Sequence, residues 1–187
     1  IDKIVLASST LRENDSIERI AKKNDIPIFR GPENDVLLRV CKLLRKEKDF
    51  NYIVRANADC PLFMPTVVDQ DLKLFKKKKY EMYSPFHNNK YPFGFGFVIY
   101  RRNLLFKILK KTKNKIYREH IENYCFDHPD KVNFYTTKIS KNNRFFFPNL
   151  SLTLDTMKDY KKIIFLEKKL RKIKLKDQPQ KLIGLFK

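Results

Sequence analysis

Two aspartates follow apolar runs of strand length, where each run is expected to pass into a turn or helix. Asp59 follows the run Tyr52 to Arg55, and Asp155 follows Leu150 to Thr153. In open α/β sheets ligands gather beyond the carboxyl ends of strands. Because Mg²⁺ is usually held by one or two carboxylates and the substrate's phosphates, the pair predicts a shared metal site. An aspartate after a strand also serves as a helix cap, and either position alone favours the cap.

Apolar runs that alternate with stretches of helical period predict the elements that position these side chains. This order is typical of an α/β fold with a mainly parallel sheet flanked by helices. Expected strands are Lys3 to Ala7, Pro27 to Phe29, Tyr52 to Arg55, a strand near Met82, Phe95 to Tyr100, Val132 to Thr137 and Leu150 to Thr153. Expected helices contain Ile17 to Ala21, Val36 to Leu44, Thr66 to Phe75, Asn103 to Leu109 and Arg118 to Phe126, and a last one begins after Asp155.

Short polar residues mark the expected helix starts. Asp15 with Glu18 three residues later is typical of a capping box, and Asn34 or Asp35 is placed to cap the next helix.

Composition indicates one domain of 187 residues, 42% hydrophobic, with a basic tail at 174–187 that the pattern leaves unassigned. We expect a domain over 1–173, a cytoplasmic location and no membrane span, since no apolar run approaches about 20 residues and no signal sequence opens the chain. The three cysteines are widely spaced, outside any zinc or redox motif, and are expected to be reduced thiols.

The net charge of +20 would attract phosphate polymers, acidic membranes or anionic substrates. The excess is mostly scattered lysine, which A/T-rich codon usage also produces. Nucleic acid is not expected as a partner, because the clustered arginines and stacking platform of a reader are missing. Gly94-Phe-Gly96 is not a dinucleotide fingerprint either, because Ile99 takes the third glycine's place.

Five segments in order resemble the cytidylyltransferases of spore-coat polysaccharide biosynthesis, relatives of the acylneuraminate and ketodeoxyoctonate cytidylyltransferases. The segments are Ile26 to Gly31 leading into Asp35-Val-Leu-Leu-Arg39; Val54-Arg55 with Asp59-Cys-Pro-Leu62; Tyr91-Pro92 with Gly94; Arg118-Glu-His120; and Leu152-Thr-Leu-Asp155-Thr156 with Asp159. The resemblance implies a Rossmann-like nucleotide-diphospho-sugar transferase fold, with Asp59 and Asp155 as catalytic metal ligands for Mg²⁺. It also implies attack by the hydroxyl of a sugar or sugar acid on CTP, with pyrophosphate leaving and a possible homodimer as the assembly.

The resemblance extends to the substrate side of the site. Gly31, Asp35 and Arg39 match the nucleotide-side loop and helix, although a structural salt bridge explains Arg39 equally well. Arg118, His120 and Tyr91 match the sugar side, and a helix-start cap is the alternative for Arg118 and His120.

Three departures from the family pattern lead to further expectations. The triphosphate-wrapping loop that opens the family is missing, so we expect these 187 residues alone to bind CTP poorly and to be inactive without upstream sequence. Phe95 to Val98 replace acidic residues, which puts the sugar acceptor in doubt, and Ala58 replaces a glycine. A glycosyltransferase of the same fold and an inactive remnant of the family are the alternatives.

Overall fold

The computed structural model describes residues 1–63, 65–85, 92–94, 96–137, 146–174 and 178–186. The chain divides into two compact units. The first contains Ile1–Ile53 and Tyr100–Val132, and the second contains Val54–Ile99 and Asn133–Lys187. Asp35 and Arg118 belong to the first unit, whereas Asp59 and Asp155 belong to the second.

A parallel strand pair opens the first unit. Strand β1 (Leu6–Ser9) lies beside β2 (Ile28–Gly31), with Leu6 opposite Ile28. A parallel pair needs a crossover connection, which the 3₁₀ turn Arg12–Asn14 and helix α1 (Asp15–Lys23) supply. The predicted strands are therefore present, with β1 beginning later than Lys3.

The predicted capping box at the start of α1 is wrong. Asn14 occupies the N-cap position without a side-chain capping bond. Asp15 and Glu18 instead pair with Arg30 of β2, at 2.7 and 2.8 Å from its Nη1. The acidic residues are used to join the helix to the neighbouring strand, because a guanidinium within reach offers a stronger, charge-assisted bond than a backbone amide.

Helix α2 (Val36–Lys46) packs against α4 (Arg102–Lys111) and α5 (Lys115–Glu119). The predicted single helix Arg118 to Phe126 is wrong, because α5 ends at Glu119 and α6 (Ile121–Asp127) begins after a break at His120. The side chains that form the core of this unit are buried apolar residues, including Leu37, Cys41, Leu44, Leu104, Leu105, Ile108, Ile121 and Cys125.

In the described part of the chain the main sheet has four strands, in the order β3 (Tyr52–Ala56), β5 (Phe97–Arg101), β4 (Met82–Ser84), β6 (Phe134–Thr136). β4 and β6 are parallel, with Met82 opposite Phe134. All of β4 and residues 97–100 of β5 are buried. Burial of both faces explains why residues 97–100 of β5 are a continuous apolar run in the sequence.

Among the residues that the structure describes in the second unit, three form helices: α3 (Pro65–Lys77), α7 (Met157–Leu170) and α8 (Gln178–Gly184). Helix α8 lies in the tail that the sequence left unassigned. It packs on α7, Leu182 is buried, and Gln178 Nε2 donates to the carbonyls of Leu170 and Ile173. Among the helices of the described residues, none is long and apolar enough to cross a membrane.

Candidate active site

Asp59 lies in a tight turn that follows β3 directly. The turn is closed by the Cys60 amide, which donates to the Asn57 carbonyl at 3.1 Å. The Asp59 side chain is exposed, whereas Cys60 points inward and is only 8% exposed. The Cys60 thiol donates to Asp59 Oδ1 at 3.4 Å. The buried Cys60 therefore holds the turn that contains Asp59. Its hydrogen bond uses Oδ1 of Asp59 and does not involve Oδ2.

Asp155 follows an extended segment that runs past Phe93 to Asp59. Ser151 forms a parallel bridge with Phe93, whose amide donates to the Leu150 carbonyl at 2.8 Å and whose carbonyl accepts from the Leu152 amide at 2.7 Å. The Leu154 amide then donates to the carbonyl of Asp59 itself, at 2.8 Å. The two aspartates are therefore held side by side by the main chain, although only a bridge forms where a full strand was predicted.

The charges of both carboxylates affect the pKa of the Cys60 thiol. Its pKa is raised to about 12, first by burial, then by the negative charge of Asp59 and its hydrogen bond, and further by the charge of Asp155. Arg55 opposes this effect. Both carboxylates therefore lie close enough to Cys60 for their charges to disfavour its thiolate. All three cysteines are buried free thiols, as predicted.

Asp155 does not cap helix α7. Thr156 is the N-cap of α7, with its hydroxyl accepting from the Asp159 amide and the Asp159 carboxylate accepting from the Thr156 amide. Asp155 Oδ2 accepts a hydrogen bond from Thr153 Oγ1 at 2.6 Å. Asp59 does not precede a helix closely either, since α3 begins at Pro65. The competing interpretation of both aspartates as helix caps is therefore wrong.

The donor set suits a hard cation that shares its coordination with a substrate. In the part of the chain that the structure describes, no group of three or more His, Cys, Asp or Glu side chains is placed to hold a metal by itself. Asp59 and Asp155 offer exposed carboxylate oxygens. Mg²⁺ is bound in this way, by one or two carboxylates with waters and substrate phosphates, whereas structural zinc needs four protein ligands.

The predicted nucleotide-side residue Asp35 and the predicted sugar-side residue Arg118 are partners in the first unit. Asp35 Oδ1 accepts from the Leu38 amide at 2.9 Å, which confirms Asp35 as the cap of α2. Its Oδ2 accepts from Nε and Nη2 of Arg118, at 2.9 and 2.6 Å. Arg118 Nη1 donates to the Leu109 carbonyl. The pair ties the start of α2 to α5, and both carboxylate oxygens of Asp35 have partners.

Arg39 and Gly31 shape the loop before α2. Arg39 Nη1 donates to the carbonyls of Pro32 and Glu33, at 2.8 and 3.3 Å. A Cβ atom added at Gly31 would lie 2.9 Å from Arg39 Cγ. Gly31 therefore leaves room for Arg39 to cross the strand end, and Arg39 holds the loop through its main-chain carbonyls.

A cavity of about 470 Å³ opens beside the Asp35 and Arg118 pair, within the first unit. Its lining is mixed in charge: Asn34, Asp35, Lys113, Lys115, Arg118 and Glu119. His120 is exposed at the N-cap position of α6, where its side chain makes no capping bond. Arg118 lies in the last turn of α5 and is therefore not a helix-start cap. Tyr91 lies outside the described residues.

Two residues around the aspartates were missed by the sequence analysis. Thr153 donates to Asp155, and Cys60 donates to Asp59. The spacing of Ser151, Thr153 and Asp155 could have indicated the first, because alternate residues of an extended segment share a face. For Cys60, the sequence carries no signal beyond its position next to Asp59.

The fold is that of a nucleotidyltransferase, and the two candidate carboxylates lie in the region beyond the end of β3. The cytidylyltransferase family model matches residues 1–178, and the chain belongs to that family. The chain is similar to a cytidylyltransferase of Leptospira borgpetersenii, with a TM-score of 0.86 and 25% identity, over 97% of this chain and 74% of that one. This likeness confirms the predicted α/β nucleotide-sugar transferase fold.

Two curated relatives have similar coverage. The spore coat polysaccharide biosynthesis protein SpsF of Bacillus subtilis is 29% identical over 171 residues, which are 90% of this chain and 68% of that protein. An uncharacterised protein of Methanocaldococcus jannaschii is 28% identical over 170 residues, 90% of this chain and 67% of that protein. Molybdopterin-guanine dinucleotide biosynthesis protein A of Archaeoglobus fulgidus shares the fold at 17% identity, with a TM-score of 0.53 over 84% of this chain and 76% of that one.

Proposed function

We propose that the protein is a Mg²⁺-dependent cytidylyltransferase that joins the cytidylyl group of CTP to a sugar or sugar acid and releases pyrophosphate. The observation that carries the proposal is the hydrogen bond from the Leu154 amide to the Asp59 carbonyl, at 2.8 Å, which sets Asp59 beside Asp155. Membership of the cytidylyltransferase family supports the reaction class. The similarity to a spore coat polysaccharide biosynthesis protein supports a substrate for polysaccharide biosynthesis. We propose that the reaction takes place in the cytoplasm.

The reaction needs charge neutralisation and alignment more than covalent help. A hydroxyl oxygen of the acceptor forms a bond to the α-phosphorus, the bond from that phosphorus to the bridging oxygen breaks, and pyrophosphate leaves with the electron pair. The hydroxyl proton passes to solvent. Such transfers depend on positioning and electrostatic stabilisation. Bound Mg²⁺ would supply charge to the phosphate oxygens, and Asp59 and Asp155 would hold it.

Asp59 and Asp155 are both exposed, and other groups fix the segments that carry them. Main-chain bonds to Phe93 and Asp59 fix residues 150–154, and the buried Cys60 fixes the turn at Asp59. Two carboxylates that share one ion repel each other when the ion is absent. The arrangement therefore favours cation binding, and the cost of the paired charges is recovered when the ion and triphosphate bind.

The test is pyrophosphate release by the protein produced from its complete reading frame, with CTP, Mg²⁺ and a panel of sugars and sugar acids. We expect Asp59→Asn and Asp155→Asn each to lower kcat/KM by more than about 100-fold, since outer-shell changes alone cost 10- to 100-fold. Asp69→Asn, at an exposed position of α3, is the matched control and should keep full activity.

Two results would contradict the proposal. Consumption of nucleotide without pyrophosphate would indicate a different group transfer, such as that of a glycosyltransferase. Full pyrophosphate release by both asparagine variants would remove the aspartates from the mechanism, whatever the acceptor.

A further inference from the structure

A row of hydrogen-bonded side chains leads to Asp155. Ser151 Oγ lies 2.9 Å from Thr153 Oγ1, and Thr153 Oγ1 donates to Asp155 Oδ2 at 2.6 Å. A threonine hydroxyl has one proton. Because Thr153 gives that proton to Asp155, the bond between the two hydroxyls is donated by Ser151. The row therefore has one direction, and its acceptor end is the carboxylate.

The donor is more firmly held than the acceptor. Thr153 is 6% exposed, whereas Asp155 is exposed. The segment around Thr153 is fixed by the bond from the Leu152 amide to Phe93 and by the bond from Leu154 to Asp59. A β-branched side chain is also stiff at χ1. The hydroxyl thus fixes the direction of the carboxylate, since a buried group on a bonded main chain moves less than an exposed one.

The other end of the row is anchored as well. The Ser151 carbonyl accepts from Lys162 Nζ on α7, and Ser151 is bridged to Phe93. Among the bonds of the described residues, those of Asp155 Oδ2 and Asp59 Oδ1 come from uncharged donors, a hydroxyl and a thiol. Neutral donors orient a carboxylate without cancelling its charge, as a lysine or arginine would.

We propose that Thr153 is a positioning residue for the metal ligand Asp155: its hydroxyl holds Oδ2 so that Oδ1 faces the ion shared with Asp59. This inference rests on the proposed function. The effect passes through Asp155, because the hydroxyl proton is already given to that carboxylate. Partners that orient metal ligands typically change metal affinity or activity by 10- to 100-fold.

The experiment measures Mn²⁺ binding by electron paramagnetic resonance in the presence of CTP, with the protein from its complete reading frame. Thr153→Val keeps the shape of the side chain and removes the hydroxyl, so we expect Mn²⁺ affinity to fall about tenfold. Thr153→Ser keeps the donor and should restore binding. Circular dichroism melting of each variant separates a loss of folding from a loss of orientation.

Thr112→Val is the matched control. Thr112 is also buried, at 9% exposed, and its hydroxyl accepts from the Asn114 amide in the first unit. Its removal should lower the melting temperature without changing Mn²⁺ affinity. If Thr153→Val melts early as well, Ser151→Ala provides the second variant, because it weakens the row from an exposed position and is expected to lower affinity less.

The outcomes separate this inference from the proposed function. If Asp155→Asn loses Mn²⁺ while Thr153→Val and Ser151→Ala both bind it as the wild type does, the positioning role of Thr153 is wrong and the proposed function stands. If Asp155→Asn itself binds Mn²⁺ normally in the presence of CTP, the metal site is wrong. Loss in Thr153→Val with recovery in Thr153→Ser supports the inference.

Discussion

Asp35 in the first unit and Asp155 in the second have similar sequence contexts, yet their carboxylates are used differently. Each precedes a helix: α2 begins one residue after Asp35, and α7 begins two residues after Asp155. Asp35 caps its helix and also binds a guanidinium. Asp155 leaves the capping to Thr156 and accepts from a hydroxyl.

The difference teaches how a structural carboxylate is distinguished from one available to a ligand. Asp35 receives a main-chain amide and a charged donor, so its charge is satisfied within the protein. Asp155 is oriented by a neutral donor and lies beside the turn of Asp59. Where two residues that can cap a helix are adjacent, as in Asp155-Thr156, one caps the helix and the side chain of the other is available to bind a ligand.

The largest change in the free energy of unfolding is expected at Gly94. This residue fixes the segment before Asp155 through close main-chain contact and not through an ion pair. Its φ is +84°, and an added Cβ would lie 2.5 Å from the Leu152 carbonyl carbon and the Thr153 nitrogen. Gly94→Ala should therefore cost about 3 kcal/mol in the free energy of unfolding, measured with urea. Gly184→Ala is the control, since a Cβ there meets nothing within 4 Å. Equal stability of the two variants would contradict the role of Gly94.

A matched pair of asparagine substitutions tests the comparison itself. Asp35→Asn keeps a capping side chain but leaves the Arg118 guanidinium without its carboxylate, so we expect a loss of about 2 kcal/mol in unfolding free energy. Asp155→Asn should change stability by less than about 0.5 kcal/mol, because it keeps an acceptor for Thr153 and removes a neighbouring like charge. If Asp155→Asn were the more destabilised of the two, Asp155 would be structural.

The smallest expected effect is the pH dependence of stability at Asp159, which belongs to the capping box of α7. The pKa of Asp159 is lowered, first by the hydrogen bond from the Thr156 hydroxyl and then by backbone amides. A carboxyl whose pKa is lowered by folding contributes stability above its unfolded pKa and loses it as the pH falls through the folded value. The melting-temperature difference between wild type and Asp159→Ala should therefore be present at pH 6 and shrink below about pH 4. A difference that grows in acid would contradict the capping box.

The periodicity of the sequence was sufficient to predict most elements of the fold. A continuous apolar run marked β5, and the Asp35 cap followed from its position before an apolar stripe. Predictions of helix caps from local sequence failed where a residue distant in sequence offered a stronger bond. Asp15 and Glu18 pair with Arg30 and do not form the predicted capping box. Helix α8 was missed because its stability depends on packing against α7, which a basic tail does not reveal.

The candidate site was predictable in part. Asp59 and Asp155 stood out because strand ends are where ligands bind in α/β sheets, and the family resemblance assigned their role. The pairing of Asp35 with Arg118 could not be predicted, since 83 residues separate them. Hydrogen bonds to individual carboxylate oxygens, such as those from Thr153 and Cys60, depend on side-chain geometry that periodicity does not encode.

The most direct measurement is the anomalous scattering of Mn²⁺ in crystals of the protein grown with CTP. The account predicts one peak with oxygen atoms of both Asp59 and Asp155 at about 2.1 Å, the distance at which small hard divalent ions bind oxygen, and with phosphate oxygens completing its shell. A peak bound through neither aspartate, or two separate peaks each on one aspartate, would contradict a shared ion.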